Sequence, residues 1–71
     1  MTNNLIKADI IEARINKIIF DIHEDTQKLY QQSRSEIKHS NIIDQLGRAN
    51  QNKMFINTLE KMKEELRAFY E

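Results

Sequence analysis

The feature that most limits what this chain can fold into is its near lack of residues that stop a helix. Among its 71 residues there is no proline and only one glycine, Gly47. Isoleucine, lysine, glutamate, asparagine and glutamine dominate the composition, which favours helix over sheet. Because isoleucine is only a modest helix former in isolation, such helices depend on packing of their faces. The sequence therefore predicts an all-α fold.

The chain is short enough that its own core is expected to be marginal. A domain of this size buries only about 60% of the surface that its unfolded chain exposes. With no cysteine, neither disulfides nor cysteine-based zinc sites can reinforce it. The sequence has no internal repeat or flexible linker, so we expect residues 1–71 to form a single helical domain. We also expect self-association, with a homodimer as the assembly.

The first predicted helix begins at Thr2, Asn3 or Asn4, each of which can cap a helix, and ends near Gln31. At about 100° per residue, one arc of this helix is a predicted core face. Its members are Leu5, Ala8, Ile11, Ile15, Ile18, Ile19, Ile22, Leu29 and Tyr30. A second apolar arc would be exposed in a monomer, which is typical of a protein interface. We assign to this protein interface Ile6, Ile10, Ala13 and Phe20, together with Ile56 from the C-terminal half.

A polar connector follows the first helix. Ser33 and Glu36 fit the capping-box pattern, in which the two side chains satisfy each other's free backbone amides. A further helix start is expected at Ser40 or Asn41. Since neither glycine nor proline occurs between Gln31 and Asn41, the loop is located by polarity and capping signals alone.

The C-terminal half has one apolar stripe that is spaced like a coiled-coil seam. Ile42, Leu46 and Ala49 would lie roughly 150° away from that stripe on a single straight helix. Glycine ends a helix readily, so we predict a break near Gly47. The expected elements are a short helix from residue 37 or 41 to 46 and a final helix over residues 49–70. A continuous helix whose two halves face different neighbours is the alternative. The stripe consists of Phe55, Leu59, Met62, Leu66, Phe69 and Tyr70.

Together these elements predict a helical hairpin or three-helix arrangement that pairs with a second copy as a dimeric four-helix-type bundle. The residues expected to form the core and the self-association surface are large and apolar. They are Ile11, Ile15, Ile18, Ile22, Leu29, Phe55, Leu59, Met62, Leu66 and Phe69.

The sequence gives little support for catalysis or for a bound cofactor. His23 has Ile19 and Gln27 at the helical spacing where a second metal ligand would be needed. His39 and the nearby serines lie in the polar connector, and a phosphate-binding loop would need more than one glycine. We therefore expect no enzyme activity, no catalytic residue, no cofactor and no metal.

A nucleic-acid-binding regulator is the alternative interpretation. Residues 38–57 would place a short helix, a glycine turn and a second helix in the order of a helix-turn-helix. Against it, the formal net charge is zero, and the exposed side of the last helix would repel phosphates about as much as attract them, because it carries Glu60 and Glu64 as well as Lys61 and Arg67. The contacts of this alternative would be Lys38, Arg48, Asn50, Gln51, Asn52 and Lys53.

The expected location is the cytoplasm. The longest apolar run is three residues, far short of the roughly 20 that a membrane span needs. The first residues lack the pattern of a secretory signal. Our functional expectation is a non-catalytic helical interaction protein that self-associates and regulates, inhibits or scaffolds a larger protein partner.

Overall fold

A computed structural model describes the backbone of residues 2–70 and the side chains of residues 6–70. The described residues form helix α1 (Thr2–Ser35) and helix α2 (His39–Tyr70), and no strand occurs among them. The helices are antiparallel neighbours along a rod whose principal extents are 56 × 15 × 10 Å. The predicted all-α helical hairpin is thus confirmed.

Helix α1 runs four residues past its predicted end, and the capping-box prediction for Ser33 is wrong. The Ser33 hydroxyl donates to the Tyr30 carbonyl oxygen at 2.8 Å, so this side chain bonds back into α1. The Glu36 carboxylate instead accepts from the backbone N–H groups of Ile37 at 3.0 Å and Lys38 at 3.1 Å. A glutamate therefore organises the loop over residues 36–38. The predicted caps Thr2, Asn3 and Asn4 and the predicted core residue Leu5 have side chains outside the described residues.

Helix α2 begins at His39, just before the predicted start at Ser40 or Asn41. The Lys38 carbonyl oxygen accepts from the backbone N–H groups of Asn41 and Ile42, both at 3.1 Å, which closes the first turn.

The predicted helix break at Gly47 is wrong, because α2 continues through it without a positive φ. The stripe on which the prediction rested combines two faces of α2. Its members Leu59 and Leu66 belong to the row that packs against α1, whereas Phe55 and Met62 each lie one residue before that row, about 100° away around the helix. Ile42 and Ala49 are in line with Ile56, so no break is needed to turn them inward.

The core is one row of side chains from each helix, with steps that alternate between three and four residues as in a coiled coil. Ile19, Ile56 and Leu59 form the buried cluster, and Ile15 and Ile22 pack against it. Two helices cannot enclose a large side chain completely: only Ala8 and Ala49 reach zero exposure among the described residues. The inward row of α1 is Ala8, Glu12, Ile15, Ile19, Ile22, Thr26, Leu29 and Ser33, and that of α2 is Ile42, Gln45, Ala49, Asn52, Ile56, Leu59, Lys63, Leu66 and Tyr70.

Over residues 2–70, no helix has the combination of length and apolar character that crossing a lipid bilayer requires.

Candidate interaction surfaces

Polar contacts between the helices line one side of the hairpin, which we call the polar flank. Near the end where α1 begins and α2 ends, the Arg67 guanidinium donates to Glu12 Oε2 at 2.8 Å and to Asp9 Oδ1 at 3.1 Å. The hydrogen bond and negative charge of Glu12 raise the pKa of Arg67 above its ordinary value, and Asp9 adds a smaller contribution. Lys63 Nζ donates to Asn16 Oδ1 at 2.7 Å. These contacts fix how α1 and α2 are aligned.

Contacts in the half of the hairpin near the loop support the same alignment of α1 with α2. On the polar flank, Lys53 Nζ lies 5.1 Å from the centroid of the Tyr30 ring, within the range of a cation–π contact. On the opposite side, Asn52 Nδ2 donates to Asp25 Oδ2 at 2.9 Å. A one-heptad slip of either helix would break all of these pairs at once, so the polar side chains specify one register.

The side opposite the polar flank is the apolar flank, which consists of Ile11, Ile18, Phe55, Met62 and Phe69. In an antiparallel pair of helices, the residues that directly precede the inward positions reached by a four-residue step face residues of the same kind on the neighbouring helix. Ile11 and Ile18 precede Glu12 and Ile19, and the α2 members precede Ile56, Lys63 and Tyr70. Their exposed fractions are 38% for Ile11, 45% for Ile18, 53% for Phe55, 48% for Met62 and 82% for Phe69.

The apolar flank covers only part of the hairpin. It extends over the half in which α1 begins and α2 ends. On α1 the seven-residue spacing continues to Asp25, which bonds to Asn52. On α2 the same spacing leads back to Arg48, which pairs with Asp44 at 3.3 Å. The loop half of this side is therefore polar, and the apolar surface has a defined end.

The side of α1 that points away from α2 is the outer face, formed by Ile6, Ile10, Ala13 and Phe20. All four side chains are exposed, Phe20 at 59%. A shallow, largely apolar groove borders this face, with Ile10, Ala13 and Ile18 along it and Arg14 and Lys17 beside them. Ile56, which we grouped with this set, is instead 7% exposed in the hairpin core, because it begins the α2 half of the buried cluster.

The residues predicted to contact nucleic acid do not form a helix-turn-helix, because α2 is continuous. Lys38 lies in the loop, and Gln51 is exposed on α2. The amide of Asn50 lies 4.0 Å from the Met54 sulfur, within its own helix. Arg48, Asn52 and Lys53 contact Asp44, Asp25 and Tyr30 in turn.

The histidines and serines also have ordinary surroundings. His23 is exposed and lines an open depression with Phe20, Glu24 and Lys28. His39 begins α2, and the Ser35 hydroxyl donates to the Gln32 carbonyl oxygen at 3.2 Å. Within the described part of the chain, no group of three histidine or acidic side chains is placed to hold a metal ion.

Sequence reasoning found the apolar flank residues but assigned them to the same surface as the core. The signal that separates the two sets is the unbroken alternation of three- and four-residue steps from Ala8 to Ser33 and from Ile42 to Tyr70. Ile11 and Phe55 fall outside that alternation.

Comparison of the chain with protein-family models, with curated proteins and with solved structures finds no match. The surfaces of the hairpin are therefore the basis for a functional proposal.

Proposed function

We propose that this chain is a non-catalytic interaction protein that self-associates and, as the assembled form, regulates, inhibits or scaffolds a larger protein partner. The observation that carries the proposal is the apolar flank. It places five large apolar side chains side by side, each more than a third exposed. Single exposed apolar residues are normal on a soluble protein, but a contiguous group of this size is typical of an interface.

The contrast between the two flanks supports this proposal. Both border the same core, yet the polar flank is closed by ion pairs and hydrogen bonds between the helices. Side chains of that kind suit contact with water. The apolar flank has no equivalent chemistry over the same half of the hairpin, so covering it removes apolar surface from water, which is favourable.

The outer face of α1 is a second surface for interaction, and we assign it to the larger partner. It lies on the side of α1 remote from α2, so covering the apolar flank leaves Ile6 and Phe20 accessible. Lys17 borders its groove and is not part of the apolar flank. A partner helix with apolar and acidic residues has the chemistry to fit there.

The test of self-association compares two methionines of α2. Met62 belongs to the apolar flank, whereas Met54 lies outside it and is more exposed, at 62% against 48%. In sedimentation equilibrium at micromolar concentrations, the wild type and Met54→Glu should sediment as more than one chain per particle. Met62→Glu should sediment as a helical monomer, because the new carboxylate cannot be buried without a large desolvation cost. A wild type that remains monomeric throughout would refute the proposal.

A further inference from the structure

The apolar flank has a matching charge pattern on its two helices. On α1, Arg14 follows Ile11 by three residues and precedes Ile18 by four. On α2, Glu65 stands in the same relation to Met62 and Phe69. Residues three and four apart are neighbours on a helix surface, so each charge borders the two apolar side chains of its own helix. Both charged side chains are exposed.

Arg14 and Glu65 do not pair with each other within one hairpin. Arg14 lies on the side of the α1 flank residues that is remote from α2, and Glu65 lies on the side of the α2 flank residues that is remote from α1. The two charges are therefore on opposite outer borders of the apolar flank. None of the ion pairs between described residues joins Arg14 to Glu65. A basic border and an acidic border therefore remain for a molecule that covers the flank.

A second copy can cover the flank in two symmetric ways. With both loops at the same end, α1 lies antiparallel to α2 of the other copy. Along this contact, Ile11 lies opposite Phe69 of the partner subunit, and Ile18 lies opposite Met62 of the partner subunit. Arg14 lies between these two apolar pairs and faces Glu65 of the partner subunit. With the loops at opposite ends and the apolar halves overlapped, α1 meets α1, and Arg14 faces Arg14. Only the first arrangement pairs opposite charges, and like charges at an interface oppose association.

The exposed area suits a second copy. At roughly 150 to 250 Å² for each large side chain, the exposed fractions of the five flank residues amount to about 500 Å² per copy. Complete coverage of the flank would bury about 1,000 Å² of apolar side chain in two copies, before any contact at the border is counted, which is the lower limit for a biological interface.

We propose that the second copy packs on the apolar flank with its loop at the same end, so that α1 contacts α2 of the other copy and Arg14 pairs with Glu65 of the partner subunit. The inference rests on the self-association proposed above and adds its orientation and its charge specificity. The resulting dimer is a four-helix bundle with two symmetric Arg14–Glu65 pairs at its borders.

Charge reversal tests the pairing. Arg14→Glu and Glu65→Arg should each weaken the dimer by about tenfold at low salt, since each replaces two attractive pairs by repulsive ones. The double variant should restore the dissociation constant of the wild type to within about twofold, because the pairs are then reversed but opposite. Arg34→Glu makes the same change of charge on an exposed residue at the loop end of α1, away from the flank, and should leave the constant unaltered.

Crosslinking tests the orientation, and the absence of cysteine makes single-cysteine variants unambiguous. A short bis-maleimide should join Arg14→Cys chains to Glu65→Cys chains in an equimolar mixture, and neither variant to itself. If Glu65→Cys chains join to one another while the wild type is dimeric, the orientation is wrong and self-association stands. A double charge reversal that fails to restore the dimer also refutes the pairing. A monomeric wild type refutes both proposals.

Discussion

Replacing Gly47 with alanine tests whether α2 is continuous, because the two descriptions of this region predict opposite signs. In the structure Gly47 lies inside a helix, without positive φ, and an added Cβ would meet nothing within 4 Å. Alanine favours a helix interior over glycine by about 0.8 to 1.0 kcal/mol, and no clash reduces this gain. We therefore expect Gly47→Ala to stabilise the protein by about 0.8 to 1.0 kcal/mol. For a domain of this size that raises Tm by roughly 4 to 8 °C.

The assay is urea unfolding followed by far-UV circular dichroism, at several protein concentrations because association adds to the apparent stability. Gln51→Ala is the control, since it places alanine at another exposed α2 position where the replaced residue is already a good helix former. Its gain should be clearly smaller. A glycine that ended a helix would have positive φ, and alanine there destabilises. A loss of stability in Gly47→Ala would therefore refute the continuous helix.

Three further substitutions test the core, the loop and the outer face. Ile19→Ala should cost about 2 to 5 kcal/mol in urea unfolding at low protein concentration, whereas its more exposed neighbour Ile18→Ala should cost clearly less; equal losses would contradict the inward row. The backbone amides of Lys38 and Ile37 lower the pKa of Glu36, so its contribution is present above about pH 4.3 and is lost as the pH falls through the lowered pKa. At neutral pH, Glu36→Gln should accordingly unfold more readily than the wild type. At a pH well below the lowered pKa of Glu36, the two proteins should be equally stable. A stability difference that does not change with pH would exclude this role of the carboxylate. Phe20→Asp should preserve the helical signal and the sedimenting mass while removing any partner bound at the outer face, and a loss of dimer in this variant would show that the outer face takes part in self-association.

Composition predicted that both halves of the chain are helical, but the pattern of apolar residues did not determine which face of each helix is buried. Ile18 and Ile19 are adjacent and identical in kind, and only one of them is buried. The inward row also contains Glu12 and Thr26, whose polarity hides the alternation from any count of apolar residues. Thr26 is 3% exposed, and its hydroxyl donates to the Ile22 carbonyl oxygen at 2.7 Å, which a sequence pattern does not reveal.

The loop and the polar flank were harder to predict for a different reason. The connector turns without glycine or proline, and its local bonds come from a glutamate side chain whose acceptor role depends on the fold. The contacts of Arg67 with Asp9 and Glu12 join residues more than fifty positions apart. Their pairing follows from the antiparallel alignment, which can be assigned only once the inward rows of both helices are known.

The three-residue loop over residues 36–38 also affects the order in which contacts between α1 and α2 form and open. Contacts near Tyr30 and Lys53 close short loops, whereas those of Arg67 close long ones at a greater entropic cost. We therefore expect local opening to start where α1 begins and α2 ends, which is the half that bears the apolar flank. A second copy bound to the apolar flank would stabilise the part of the molecule that opens most readily. Amide hydrogen exchange there should slow as protein concentration rises, while amides beside the turn should keep their rates.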